Sequence, residues 1–309
     1  MDLCFIDINT RDLKASSSSR QALESVLEKI EAADAILLGL GPGMSEASGL
    51  DLRADDESFR EAFGDYRKAY GFRSLFQGFY NTYSSPEERW TFLARFIRYL
   101  LDAEEGSAYL KLKALLEGKD YFILTSTTDH QVVKVFPKER YCLFQGDISR
   151  LQCPQPCHDA LYPAGPLADK LIAESSAFKI PEASLPRCPY CHRIMEPWVR
   201  DAHFLEGEVW REGVLRYGNF LRAQKGKKLL LLELGVGEAD PGIITLPFWK
   251  ITQEEKNAFY ITVRFGKPEA PAQLQGKSLA FGDALGPFLD RLNELASAKK
   301  TSSTDKERN

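Results

Sequence analysis

Six short apolar runs occur along the chain, and each of them stops at a glycine or a polar cluster. The first is AILLGL, and the others lie in DYFILTS, RYCLFQG, KKLLLLELG, AFYITVRFG and KSLAFGD. Continuous runs of this length, rich in β-branched or aromatic residues, are typical of buried strands in a parallel sheet. The sequence therefore predicts an α/β fold, with a Rossmann-like parallel sheet and helices on both faces.

Composition separates the rest of the chain from this sheet. One stretch is helical and rich in aromatic residues, and another is rich in proline, poor in helical periodicity and contains most of the cysteines. We expect these two stretches to form a smaller second domain. The predicted divisions are a Rossmann-like domain from 20–50, 119–147 and 201–298, a helical insert at 51–118, a cysteine module at 148–200 and a disordered tail at 299–309.

Charge and hydropathy exclude several classes of partner. The chain has 309 residues, a net charge of −4 and a pI near 5.8, which gives no electrostatic reason to expect nucleic acid or an anionic membrane surface. The longest apolar run, KLLLLELGVG, is interrupted by Glu233 and is too short to span a bilayer. The N-terminus has acidic residues and no basic region followed by an apolar core, so we expect no secretory signal and a cytoplasmic location.

Four of the six cysteines are grouped in two pairs, Cys153 with Cys157 and Cys188 with Cys191. A C-x3-C pair and a C-x2-C pair separated by a loop can supply four thiolates to one tetrahedral zinc ion. The alternative is haem attachment through CPYCH, which would leave the first pair unexplained. We expect a structural zinc ion, which holds together a module with too few apolar residues for a core of its own.

The first apolar run ends in a glycine-rich turn, GLGPGMSEASG, with Gly39, Gly41 and Gly43 before Ser45. Glycine lets backbone amides approach a phosphate closely, and a helix that starts there adds partial positive charge. LELGVG provides a second glycine turn after a later run. The sequence predicts a nucleotide site at these turns, and the alternative is that the glycines serve close strand-to-helix packing.

Taken in order, these stretches resemble the sirtuin family. GLGPGMSEASGLDLR is similar to the family's glycine turn and arginine box, LTSTTDH to its TQN-D strand end, and QGDISRLQC to the histidine–glycine dipeptide before the zinc cysteines. ELGVG, VRFG and FGD match the later turns, so the resemblance runs from about residue 22 to residue 296. Within the family the likeness is to class M, the macrodomain-linked microbial branch.

The resemblance implies NAD-dependent mono-ADP-ribosylation of a protein. The implied acceptor is a lipoylated carrier protein similar to the glycine-cleavage H protein, and the implied functional partner is a macrodomain ADP-ribosylhydrolase. Gln145 stands where sirtuin deacylases have the histidine that acts as general base. An amide cannot take a proton near neutral pH, so deacylation loses its base while ADP-ribose transfer stays open. The alternative is that Gln145 merely ends a strand.

The resemblance also assigns roles around Gln145. Asp129 matches the aspartate that binds the nicotinamide carboxamide, with a helix N-cap as the alternative role. His130 is then either a reserve acid–base group or a packed histidine. Thr127 replaces the family's asparagine, which leaves a weak or inactive NAD or ADP-ribose sensor as the alternative function, and a deacylase as a third. Arg264 replaces the asparagine that reads the adenine ribose, so it can bind a 2′-phosphate or form a structural ion pair.

The implied catalytic residues are therefore Gln145, Thr127 and Asp129. The implied cofactor-binding residues are Gly39, Leu40, Gly41, Gly43, Ser45, Arg53, Asp129, Gln145, Gly235, Val236, Gly237, Arg264 and Asp283.

Overall fold

The computed structural model describes residues 19–238, 241–268 and 270–307, with side chains described up to residue 300. Cys4 and the N-terminal stretch, for which we expect no secretory signal, lie outside the described residues. The strands are β1 Ala35–Leu40, β2 Asp120–Thr125, β3 Tyr141–Leu143, β4 Gly146–Gln152, β5 Tyr162–Pro163, β6 Glu196–Val199, β7 Leu229–Leu234, β8 Phe259–Val263 and β9 Ser278–Phe281. The helices are α1 Arg20–Ala32, α2 Pro42–Glu46, α3 Glu57–Tyr70, α4 Leu75–Phe79, α5 Pro86–Asp102, α6 Ser107–Leu115, α7 Gln131–Val135, α8 Gly165–Glu174, α9 Glu208–Ala223, α10 Thr245–Glu254 and α11 Leu285–Glu307.

Six strands form a parallel sheet in the order β3-β2-β1-β7-β8-β9. These are the six apolar runs of the sequence, so the predicted fold class is confirmed. The chain leaves β1 toward β2 and β3, and it later returns through β7 to build the other half. The crevice at the carboxyl ends of β1 and β7 is thus the switch point, where open α/β sheets bind their ligands.

Helices cover both faces of this sheet. One face packs in a core with Leu23 of α1, Tyr109 of α6 and Phe288 of α11. The opposite face packs in a second core with Phe220 of α9 and Phe248 of α10. Because both faces are covered, the central strands can be apolar on both sides, which explains their continuous hydrophobic runs.

The cysteine module contains more regular structure than its sequence predicts. A three-stranded antiparallel sheet, β5-β4-β6, and helix α8 lie within or beside it. Its apolar residues, among them Leu151 and Leu171, share one core with Trp90 and Phe92 of α5. Although the sequence of the module is poor in helical periodicity, it forms α8, whose apolar face is covered by another segment of the chain.

Helix α11 continues to Glu307, into the segment 299–309 for which the sequence predicts disorder. Ion pairs of Lys299 with Glu31 and of Lys300 with Glu117 hold this part of the helix against α1 and the end of α6. Among the described residues, no helix is long and apolar enough to cross a membrane.

Candidate active site

The two glycine turns lie directly against each other at the switch point. The amide of Gly41 donates to the carbonyl of Leu234 (3.0 Å), and the amide of Gly43 donates to the carbonyl of Gly235 (2.9 Å). A Cβ atom on Gly41 would lie 2.5 Å from the Gly235 oxygen, and Gly235 itself has a φ of +62°. Close packing of backbone on backbone therefore requires glycine at these positions.

Other residues of the first turn face the protein interior. A Cβ atom on Gly39 would lie 2.2 Å from Cγ2 of Ile244, just before α10. The Leu40 side chain is buried in the core, and its carbonyl accepts from the amide of Ser126 (3.0 Å). A Cβ atom on Gly237, by contrast, would meet nothing within 4 Å. Gly39, Gly41 and Gly235 therefore serve close packing, whereas the open surroundings of Gly237 suit an approaching ligand.

A cleft with two lobes opens above these turns. The inner lobe has a cavity volume of about 160 Å³ and includes Ser45, Thr127 and Asp129 in its lining. The outer lobe has a cavity volume of about 570 Å³, and Gly43, Gly235, Val236, Gly237 and Arg264 are among its lining residues. Five residues line both lobes and form what we call the boundary: Pro42, Glu46, Arg53, Ser126 and Gln145.

Asp129 forms the buried end of the inner lobe. Ser45 Oγ donates a hydrogen bond to its Oδ2 atom, Tyr109 OH donates to the same oxygen (3.3 Å), and the amide of Gln131 donates to Oδ1 (3.1 Å). Complete burial raises the pKa of Asp129 above its usual value, although these donors oppose the shift. The carboxylate thus accepts from the first amide of α7 and faces the lobe, whereas the N-cap position of α7 belongs to His130.

Thr127 is bound to the end of β2. Its Oγ1 atom lies 2.9 Å from Oγ1 of Thr125, and its amide donates to the same Thr125 oxygen (3.1 Å). The threonine side chain is shorter than the asparagine that the resemblance predicts. Thr127 therefore lines the inner lobe with a hydroxyl that is already hydrogen-bonded to the protein.

Gln145 lies in the turn between β3 and β4, two residues after β3 ends, and it lines both lobes. Its carbonyl accepts from the amide of Arg200 (3.0 Å). The next residue, Gly146, has a φ of +87°, and a Cβ atom there would lie 2.0 Å from the Trp198 carbonyl oxygen. This glycine lets β4 pass close to β6, which fixes Gln145 at the boundary.

His130 is hydrogen-bonded to a buried carboxylate. Its Nδ1 atom lies 2.9 Å from Oδ1 of Asp147, which is buried and also accepts from the amide of Ser149 (2.8 Å). His130 has a φ of +70°, an unusual conformation for a residue with a side chain. The contact with Asp147 agrees with the packed alternative, and the acid–base role stays a prediction.

The predicted charged residues lie in different places. Arg53 lines both lobes, and its guanidinium lies 4.6 Å from the centre of the Phe76 ring. Arg264 lines the outer lobe, where it forms an ion pair with Glu238 (3.0 Å) and donates to the carbonyl of Lys267 (3.0 Å). Arg264 thus forms the predicted ion pair, and its place in the lining of the outer lobe leaves phosphate binding as a prediction.

Asp283 lies farther along the sheet, directly after the edge strand β9. Its Oδ1 atom is 3.8 Å from the Arg291 guanidinium of α11. Asp283 is not among the described residues that line either lobe. The structure thus brings most predicted site residues together in the cleft, with Gly39, Leu40, Gly41 and Asp283 outside its lining.

Sequence reasoning missed several residues of the cleft. Glu46 lines both lobes, and Tyr80 and Arg200 line the inner lobe. Glu46 directly follows Ser45, a predicted site residue, and this position next to Ser45 could have indicated Glu46. Tyr80 and Arg200 come from the helical insert and from the segment after β6, and their approach depends on tertiary structure.

The four paired cysteines meet at the end of the module. Their sulfur atoms all lie within 4.8 Å of one another, with Cys153 and Cys191 at 3.5 Å and Cys157 and Cys188 at 3.6 Å. Zinc–sulfur bonds of about 2.3 Å in a tetrahedron place the sulfurs roughly 3.8 Å apart. The cluster therefore fits a structural zinc site. His158 lies beside it, with Nδ1 3.1 Å from the Cys157 sulfur.

Solved sirtuin structures share this fold. A Sir2 homologue in complex with ADP-ribose has a TM-score of 0.58 at 16% identity, and the match covers 90% of this chain and 98% of that one. Sir2Tm bound to a propionylated peptide has a TM-score of 0.55 at 18% identity, covering 89% and 98%. No established family profile matches the chain.

Sequence relatives decide the family. The protein ADP-ribosyltransferase of Staphylococcus aureus (strain Mu50 / ATCC 700699) is 33% identical over 279 residues, which cover 88% of this chain and 86% of that protein. The chain belongs to the sirtuin family of protein ADP-ribosyltransferases. A second sequence relative of the chain is a probable bifunctional ADP-ribose hydrolase/ADP-ribosyltransferase of Fusarium oxysporum f. sp. cubense, which is 31% identical to the chain over 244 residues. That match covers 73% of this chain and 39% of the longer fungal protein.

Proposed function

We propose that the chain transfers a single ADP-ribose group from NAD to a protein. One observation carries the proposal: an amide side chain, Gln145, occupies the boundary between the two lobes. In the sirtuin resemblance this position belongs to the histidine base of deacylation. Since an amide cannot accept a proton near neutral pH, the cleft lacks the deacylase base but keeps a group that can orient a hydroxyl.

The remaining residues suit NAD as substrate. The inner lobe ends in the Asp129 carboxylate, which can accept a hydrogen bond from the nicotinamide carboxamide while Ser45 fixes its orientation. The glycine turns border the outer lobe with backbone, which lets a diphosphate approach closely. NAD supplies a C1′–nitrogen bond whose cleavage gives positive charge on the ribose, and an acceptor nucleophile then takes up the ADP-ribosyl group.

We further propose a lipoylated carrier protein as the acceptor, with a macrodomain hydrolase to remove the modification. Support comes from the class M resemblance and from the fungal relative, whose name joins an ADP-ribose hydrolase to a transferase. The test is incubation with NAD labelled in its adenylate phosphate, together with a carrier protein in lipoylated and unlipoylated forms. We expect label on the lipoylated carrier and its release by a macrodomain hydrolase.

Two results would contradict the proposal. Formation of O-acyl-ADP-ribose from an acylated peptide would identify a deacylase. Tight NAD binding without nicotinamide release would identify a sensor, the second candidate function. The sensor is favoured by one observation, the Thr127 hydroxyl that is already bound to Thr125 in the inner lobe. The sensor function would be supported if the wild-type chain had no turnover and a Thr127→Asn variant gained it.

A further inference from the structure

The position of the reacting ribose follows from the shape of the cleft. This step rests on the proposed function, in which nicotinamide lies in the inner lobe beside Asp129 and the diphosphate lies in the outer lobe beside the glycine turns. The ribose that joins these two groups must then cross the boundary. In that arrangement its C1′ atom, where the glycosidic bond breaks, would be nearest to the residues that line both lobes.

Only one of these boundary residues carries a carboxylate. Pro42 has no proton acceptor in its side chain, Ser126 and Gln145 have a hydroxyl and an amide, and Arg53 is permanently charged. The fifth is Glu46, at the C-terminal residue of α2. The reacting carbon therefore passes a single group that can accept a proton at neutral pH.

The Glu46 carboxylate has no structural task in the described part of the chain. It forms neither a hydrogen bond nor an ion pair there, and its side chain is open to the cleft. The other carboxylates of the cleft are engaged: Asp51 accepts from the amide of Arg53 (2.9 Å), Glu238 pairs with Arg264 (3.0 Å), and Asp129 accepts from Ser45. Each of these lines only one lobe.

We propose that Glu46 is a catalytic residue, the general base that takes the proton from the acceptor nucleophile. In this step the bond between C1′ and the nicotinamide nitrogen breaks, and its electron pair leaves with neutral nicotinamide. A lone pair of the acceptor heteroatom forms the new bond to C1′. The acceptor's proton passes to a Glu46 carboxylate oxygen and then to solvent, so one proton is released for each ADP-ribose transferred.

The electrostatic surroundings suit this role. Partial burial and the negative charge of Asp51 raise the pKa of Glu46 above its usual value, and the Arg53 guanidinium opposes the rise. A carboxylate with a raised pKa binds a proton more readily than an ordinary glutamate, which suits a general base. The other charged groups of the cleft are Asp129, Arg200, Glu238 and Arg264.

The experiment uses NAD and water, so it needs no identified acceptor protein. Water serves as the protonated nucleophile, and nicotinamide and ADP-ribose are measured as functions of pH. We expect Glu46→Gln to lower the hydrolysis rate by about 100-fold or more and to remove the fall in rate at acidic pH, which reflects protonation of the base. Glu61→Gln, an exposed change on α3, is the matched control and keeps the wild-type profile.

Azide separates proton removal from other roles. Azide carries no proton, so in Glu46→Ala it needs no base, and it should restore nicotinamide release with ADP-ribosyl azide as product. The inference would be overturned if Glu46→Gln hydrolysed NAD with the rate and pH profile of the wild type. It would also be overturned if azide did not restore nicotinamide release in Glu46→Ala. Either result would leave the proposed function standing. A wild-type chain that releases no nicotinamide with water or carrier would overturn the proposed function, and this inference with it.

Discussion

At the scale of single residues, Asp129 shows how burial and function conflict. A carboxylate enclosed by protein loses hydration, and Ser45, Tyr109 and the amide of Gln131 replace only part of it. The raised pKa of Asp129 means that ionisation costs free energy in the folded state. This cost falls on the residue that we propose binds the nicotinamide carboxamide.

This cost leads to a prediction for Asp129→Asn. For a carboxyl whose folded pKa lies above its unfolded value of 3.8, stability is lost as the pH rises through the folded pKa. We expect the variant to equal or exceed the wild type in free energy of unfolding at pH 7, and to lose this advantage as the solution is acidified. Nicotinamide release should fall by about 100-fold or more. Urea unfolding at several pH values checks the first point; a variant destabilised equally at all pH values would contradict it.

Sequence predicted some of these residues and not others for a physical reason. Ser45, Asp129 and Gln145 occur in short motifs at strand ends, and strand ends of a parallel sheet share one edge, so sequence order is enough to bring them together. Glu46 belongs to the same motif, but its place on the boundary depends on the width of the cleft. Arg200 and Tyr80 reach the inner lobe through packing between distant segments, which no local pattern encodes.

At the scale of elements, the two glycine turns act as one unit. Gly41 and Gly43 contact Gly235 through backbone atoms, so β1 and β7 can end side by side with α2 starting above them. Any side chain at this contact would separate the strand ends. The same contact leaves the far part of the second turn open to the cleft at Gly237.

Two alanine substitutions separate packing from ligand binding. We expect Gly41→Ala to lower the free energy of unfolding by about 1–3 kcal/mol, since its Cβ would lie 2.5 Å from a backbone oxygen that cannot move freely. Gly237→Ala should keep stability within about 0.5 kcal/mol but weaken NAD binding, because an added Cβ atom meets nothing within 4 Å and Gly237 lines the outer lobe. Thermal unfolding and calorimetric titration with NAD give both quantities. Equal effects of the two changes on stability would contradict this division.

The six sheet strands were predictable because burial on both faces leaves a continuous apolar run in the sequence. The antiparallel strands β4 and β6 were not, since GDISRLQ and EPWV contain no continuous apolar run and their pairing shifts register between Asp147 and Leu151. Helix α8 also has no strong pattern of its own. Its apolar face is satisfied by α5, a helix far away in the sequence.

At the scale of the whole molecule, the helical insert and the cysteine module form one body. Phe178 of the module lies 4.8 Å from the Tyr66 ring of α3 and 5.8 Å from that of Tyr70. Leu171 and Trp90 belong to the same core. Damage to the metal site should therefore spread into the aromatic cluster of the insert.

Loss of zinc tests this coupling. We expect Cys188→Ser, or strong chelation of the wild type, to release the metal, to change the near-ultraviolet circular dichroism of the aromatic cluster and to cost more than about 4 kcal/mol of stability. Cys142→Ala, in the core of the sheet domain, is the control and should keep both zinc and the aromatic signal. Metal analysis by mass spectrometry accompanies the spectra. Unchanged spectra in a metal-free protein would show that the two segments are independent.

The shared core has a consequence for how such proteins can be recombined. The insert and the module are separated in sequence by the β2–β3 part of the sheet, yet each provides the apolar surface that the other lacks. A chimera that exchanges only one of them with a relative would join two unmatched halves of a core. Gene shuffling within this family should therefore yield folded products chiefly when both segments come from the same parent.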